Sequence, residues 1–313
     1  MAGRASLRAE LARVGLRWLV RRRSHDQSID AARQAFQSIE ALIPRPPADT
    51  RITPVDAGGV RAEWVVTPTA SADRQVLYLH GGGYRLGSPA TYRHFTWRIA
   101  TATRARLLAI DYRLAPEHPL PAALDDALDA YCWLRKSGNG DITVMGDSAG
   151  GGLALALLLK LRDEGLPLPA AAVALSPWTD LALTGASLQS NAAADPMLNA
   201  DDLPRFAADY LAGADACNPY ASPLYGDPRG LPPTLIHVGG DEILHDDAVR
   251  MAERMRGADC QVELRIWPRM PHVWHLLAPV LPEAKFAIAA IGAFVEQAWQ
   301  APQTAARRPG AAR

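Results

Sequence analysis

The sequence predicts an α/β fold, a mostly parallel central sheet flanked by helices, with a helical cap. Three observations carry that expectation. Short and nearly continuous apolar runs alternate with stretches of helical spacing, the pattern of strands buried on both faces. A serine bracketed by glycines, Gly146-Asp147-Ser148-Ala149-Gly150, stands between one such run and a helix-forming stretch. One long segment, Ala182 to Tyr225, breaks the alternation where a short connection to the next strand is expected.

Taken in order, the chain begins with Ala5 to Arg23, where Leu7, Leu11, Val14, Leu16, Leu19 and Val20 fall near helical spacing among several arginines. Two readings fit: a basic amphipathic helix on a membrane surface, or, more simply, a helix that packs its apolar stripe on the protein without stable membrane association. Pro44-Arg45-Pro46-Pro47 reads as a linker. Strand signals follow at Val60 to Val66, Gln75 to His80, Arg106 to Ile110, Ile142 to Met145, Ala171 to Leu175, Thr234 to Val238 and Val262 to Ile266. Helical patterns lie near Tyr92 to Thr103, Ala122 to Arg135, Gly152 to Arg162, Asp246 to Met255 and Glu283 to Gln300. The expected organisation is therefore N-terminal helices over residues 1–47 that join an insertion at about 182–225 as a cap, a main domain over 48–300, and a disordered tail over 301–313. Such a cap would cover the carboxyl edge of the sheet, where α/β proteins place their ligands.

Composition narrows the function. The chain has 313 residues, 49% of them hydrophobic, enough for a substantial core, and a formal net charge of zero, which argues against nucleic acid as a partner. Its three cysteines, Cys132, Cys217 and Cys260, lack metal-ligand spacing, so no metal is expected and a reduced, cytoplasmic protein is the simplest reading. The N-terminus lacks the pattern of a secretory signal, and no apolar run reaches the ~20 residues that span a bilayer.

The glycine-serine motif points to chemistry. Side chains at its glycine positions would collide with the neighbouring strand and helix, so the backbone can turn sharply with Ser148 at the apex, a nucleophile elbow. A serine hydroxyl needs a base within hydrogen-bond reach, itself oriented by a carboxylate. His272 follows the last strand and precedes the last helix, the position for a base carried on a loop above the sheet. His275 is its nearest rival, His245 a more distant one, and His237 lies within a strand. For the acid, Asp241 comes first off the strand Thr234 to Val238, with Glu242 as the weaker alternative. Asp246 and Asp247 read as the capped first turn of the next helix. His80-Gly81-Gly82-Gly83-Tyr84 follows another strand, and its amides at Gly82 and Gly83, with that of Ala149, would form an oxyanion hole. His80 is expected to stabilise that loop.

Four blocks then carry a family resemblance: HGGGY at His80 to Tyr84, DYRLAPEHPLPAALDD at Asp111 to Asp126, GDSAGGGLA at Gly146 to Ala154, and GGDEILHDD with MPHVWH at Gly239 to Asp247 and Met270 to His275. In this order the chain resembles the hormone-sensitive lipase-like α/β-hydrolases, the bacterial family IV esterases. The resemblance implies an α/β-hydrolase fold and a serine carboxylesterase acting on short- to medium-chain esters, lactones included, through an acyl-enzyme. It further implies Ser148 as nucleophile, Asp241 as acid, His272 as base and Gly82, Gly83 and Ala149 as oxyanion donors. Implied too are no cofactor, no metal, a small-molecule ester as partner and a possible homodimer through the last strand and helix. Tyr84 and Trp178 are candidate walls of the substrate pocket, with core packing as the alternative for each. Asp147 is expected to anchor the elbow, and Arg113 and Glu117 to hold their loop beneath the site.

Overall fold

The computed structural model describes residues 5–20, 28–40, 44–138 and 140–300. Two helices lead, α1 (Leu7–Val20) and α2 (Ile29–Glu40), followed by β1 (Arg51–Asp56), β2 (Arg61–Val66) and β3 (Ser71–Leu79). Helices and strands then alternate: α3 (Pro89–Thr103), β4 (Ala105–Ile110), α4 (Ala122–Ser137), β5 (Asp141–Asp147), α5 (Ala149–Asp163) and β6 (Ala171–Leu175). After the short α6 (Ser187–Ser190) and α7 (Leu203–Leu211) come β7 (Thr234–Gly239), α8 (His245–Gly257), β8 (Val262–Trp267) and α9 (Pro282–Gln300). The expected tail over 301–313 lies outside the described residues.

Among the described residues the strands form one eight-stranded sheet in the order β1-β2-β4-β3-β5-β6-β7-β8. β2 pairs antiparallel with β1 and β4, and every other pairing is parallel. Side chains that alternate along each strand explain the continuous apolar runs. On β3, Leu77 and Leu79 join the core with Leu124, Tyr131 and Leu153, while Val76 and Tyr78 face Phe95, Ile99, Ile288 and Ile291 on the other side. The sheet is thus apolar on both faces because helices cover both.

Each strand expected from the sequence is present, and β1 is the addition. It carries Pro54, its residues are exposed or half-buried, and it pairs only with β2 at the sheet edge, where a missing N–H costs nothing.

α1 departs from expectation in how it docks. Ala9 and Arg13 are buried against the body, whereas Leu7, Leu11 and Val14 point outward. Polar contacts hold it: Ser6 donates to Glu283 on α9, Glu10 pairs with Arg269, Arg13 with Asp241, and Arg17 donates to the carbonyls of Ala193 and Ala194. α2 is fixed by Arg33, which pairs with the Glu117 carboxylate at 2.7 Å and donates to the carbonyls of Arg85 and Ala115 at 3.0 Å.

Candidate functional site

The site lies where β3, β5, β6, β7 and β8 end. Ser148 sits between β5 and α5 with φ 54° and ψ −123°, a strained conformation for a residue with a side chain. The flanking glycines allow it. A Cβ on Gly146 would stand 2.2 Å from the Gly150 carbonyl oxygen, and one on Gly150 only 2.1 Å from that of Leu79. The chain therefore turns here only because helix and strand can touch its bare backbone.

His272, carried on the loop after β8, places Nε2 2.9 Å from Ser148 Oγ and Nδ1 2.8 Å from Glu242 Oε2. With the carboxylate accepting from Nδ1–H, Nε2 is left to accept the serine proton. Glu242 is fully buried, and its other oxygen accepts from Ser176 Oγ at 2.7 Å and from the amide of Gly239. Ser176 in turn accepts from the Val273 amide at 3.1 Å, so one hydroxyl ties β6 to both the acid and the loop that carries the base.

Asp241 is not that acid. The chain turns after Gly239 so that Asp241 faces α1 and pairs with Arg13, while Glu242, one methylene longer, reaches His272. The weaker sequence alternative thus occupies the position. His275 and His237 are buried behind the loop and hydrogen-bonded to each other at 3.1 Å; His245 contacts Asp246. Neither contact reaches Ser148. Asp246 and Asp247 stand in the first turn of α8, but their carboxylates accept from the backbone amides of Ser187 and of Thr179 and Asp180 rather than capping amides of their own helix.

Burial pulls the His272 imidazole toward the neutral form, yet its hydrogen bond to Glu242 and that residue's charge outweigh this and leave its pKa raised. Burial likewise pushes the Glu242 carboxyl up against the opposing pull of His272 and its other donors. Asp147, buried beside the serine, is pushed up to about 6. It accepts from the hydroxyls of Tyr78 and Tyr92 and from the Gly81 amide at 2.9 Å, which clamps the HGGGY loop to the elbow.

Gly82 and Gly83 adopt φ of 118° and 62° and line the same cavity as Ser148 and His272. Ala149 opens α5, so its amide belongs to the helix N-terminus that lacks an intrahelical acceptor. His80 is buried against Tyr112 with ring centroids 4.2 Å apart, and burial lowers its pKa to about 4. Arg113 grips Asp126 through side chain and backbone, and Glu117 receives Arg33 of α2.

The cavity, of ≈ 370 Å³, has Trp178, Leu244 and Val273 in its walls. Ala32 and Phe36 of α2 and Leu203 and Phe206 of α7 roof it. Trp178 is thus a wall, as one sequence reading had it. Tyr84 is not: fully buried and stacked on Tyr210 with centroids 3.7 Å apart, it packs behind the loop. Sequence reasoning missed Ser176, whose only signal was its place directly after a strand, and Phe206, which lies close over Gly83. Among the described residues, no group of three or more histidine, cysteine or acidic side chains could hold a metal ion.

Comparison with known proteins agrees with this architecture. Residues 76–276 match the family model for the alpha/beta hydrolase fold. An acetyl-hydrolase of Streptomyces hygroscopicus is 48% identical over 271 residues, 86% of this chain and 88% of that protein. An esterase of Acinetobacter venetianus is 37% identical over 268 residues, covering 85% and 88%. The crystal structure of an esterase from the bacterial hormone-sensitive lipase family superposes with a TM-score of 0.89 at 43% identity, over 94% of this chain and 99% of that one. The chain belongs to the α/β-hydrolase family. Within it, the chain is a member of the hormone-sensitive lipase-like esterases.

Proposed function

We propose that this chain, a carboxylic ester hydrolase by family, works as a serine esterase on short- to medium-chain esters through an acyl-enzyme. The observation that carries the reading is the hydrogen-bonded line Ser148–His272–Glu242, at 2.9 and 2.8 Å, opening into a roofed cavity. His272 Nε2 takes the hydroxyl proton as Ser148 Oγ attacks the ester carbonyl, and the resulting imidazolium is held by Glu242. Negative charge develops on the carbonyl oxygen, where the amides of Gly82, Gly83 and Ala149 serve as donors, each worth about 10²–10³ in rate. The tetrahedral intermediate collapses as the C–O bond breaks and His272 gives its proton to the departing alkoxide. Water then enters, loses a proton to His272 and attacks the acyl carbon; as the bond from that carbon to Ser148 Oγ breaks, His272 returns the proton to Oγ and the carboxylic acid leaves. A lactone presents the same carbonyl and would open by the same steps.

The apolar roof from α2 and α7 supports acyl chains of limited length, since ≈ 370 Å³ holds one modest substituent and not the three long chains of a triglyceride. Initial rates on p-nitrophenyl esters of increasing acyl length, for wild type beside Ser148→Ala, test the proposal. The expected result is a short- or medium-chain optimum and loss of turnover in the variant by about 10⁴-fold or more. Equal rates for both proteins would overturn it.

A further inference from the structure

The two sides of α1 are used in an unusual way. An amphipathic helix on a globular body ordinarily buries its leucines and leaves its arginines in water. Here Arg13 goes in, to Asp241, and four large apolar side chains stay out: Leu7 is 77% exposed, Leu11 64%, Val14 69% and Trp18 61%. At about 3.6 residues per turn these four form one line along the outer face, with Arg8 and Arg17 on its two flanks. The docking contacts of Ser6, Glu10, Arg13 and Arg17 keep that line turned away from the body. Val280 and Phe286, three residues to either side of the anchor Glu283, are exposed as well, at 56% and 67%.

Charge indicates what the face meets. The first 23 residues carry seven arginines and a single glutamate, and that glutamate is occupied by Arg13 and Arg269. Two copies of so basic an N-terminal sequence repel each other, and four side chains on one helix fall short of the roughly 800 Å² per partner that a standard protein interface buries. A leucine and tryptophan line flanked by arginines instead matches the boundary between anionic head groups and acyl chains. We propose that the outer face of α1 docks this protein on anionic lipid bilayers, peripherally and reversibly. Docking would bring the cap to the membrane, because the next helix, α2, roofs the catalytic cavity.

Co-sedimentation with vesicles tests this without reference to ester hydrolysis. Wild type is expected to pellet with vesicles containing phosphatidylglycerol, to stay in solution with pure phosphatidylcholine, and to be released as salt shortens the reach of the arginines. The Leu11→Glu, Trp18→Glu double variant should bind at least about tenfold more weakly, with unchanged circular dichroism and turnover of a soluble p-nitrophenyl ester. Failure of wild type to bind anionic vesicles overturns the proposal, as does equal binding by the folded double variant. A wild-type dimer that the double variant dissociates, with no vesicle binding by either protein, overturns it in favour of a second copy as the occupant.

Discussion

Replacing Glu242 by glutamine keeps the length and shape of the side chain and changes only what its two terminal atoms can do. The carboxylate now serves three donors: Ser176 Oγ and the Gly239 amide on one oxygen, and His272 Nδ1 on the other. An amide has one oxygen, and the backbone N–H of Gly239 cannot rotate away, so that oxygen stays with Gly239 and Ser176. The NH₂ group then faces His272. Nδ1 must accept, the proton moves to Nε2, and the imidazole points a hydrogen at Ser148 where it should offer a lone pair. Loss of the correct tautomer in a serine triad lowers kcat by about 10⁴, or about 5.4 kcal/mol. Asp241→Asn in the same assay should leave kcat within about threefold, because Asp241 touches Arg13 and not His272. Steady-state rates on one p-nitrophenyl ester decide the matter. Near-normal activity in Glu242→Gln together with collapse in Asp241→Asn would refute the assignment of the acid.

Three further outcomes follow from the same contacts. A protonated His272 cannot take the serine proton, and its pKa is raised by Glu242, so kcat/KM should fall as pH drops through a midpoint above the ordinary imidazole value of about 6.5; a midpoint well below it would contradict the Glu242 contact. Ser176→Ala strands a buried amide at Val273 and removes one of the two donors to Glu242 Oε1, and should lower kcat about tenfold and stability by about 1–3 kcal/mol, read by rates and denaturant melts. Gly150→Ala drives a methyl group to 2.1 Å from the Leu79 carbonyl oxygen, so the protein should lose about 3 kcal/mol or fail to accumulate folded, against unchanged folding if the elbow has slack.

Much of this was legible because local sterics and periodicity are written in adjacent residues. The elbow glycines, the buried parallel strands and the loop of His272 each follow from neighbours a few positions apart. The acid was misjudged for a physical reason. Asp241 and Glu242 are chemically alike and adjacent, and which one meets the histidine depends on how the chain turns after Gly239 and on Arg13, contributed by a helix at the other end of the sequence. For Tyr84 the sequence left wall and core packing open, because its stacking partner Tyr210 comes from α7, whose packing no local pattern reveals. β1 escaped notice because an exposed edge strand with a proline lacks both the apolar run and the full ladder that mark an interior one.

The two N-terminal helices grip opposite sides of one reaction centre. Arg13 and Glu10 of α1 hold the loops of Asp241 and Arg269, beside the acid and the base, while Arg33 of α2 holds the carbonyl of Arg85, just past the HGGGY loop. Between them, α1 and α2 therefore supply a brace as well as a roof. A shortened chain that begins after them would not simply be an enzyme with an open door; it would have lost the struts that set proton acceptor and oxyanion loop at a fixed distance. Changes aimed at substrate range belong on the cavity-facing side chains of α2, Ala32 and Phe36, where the roof can be reshaped while the frame stays in place.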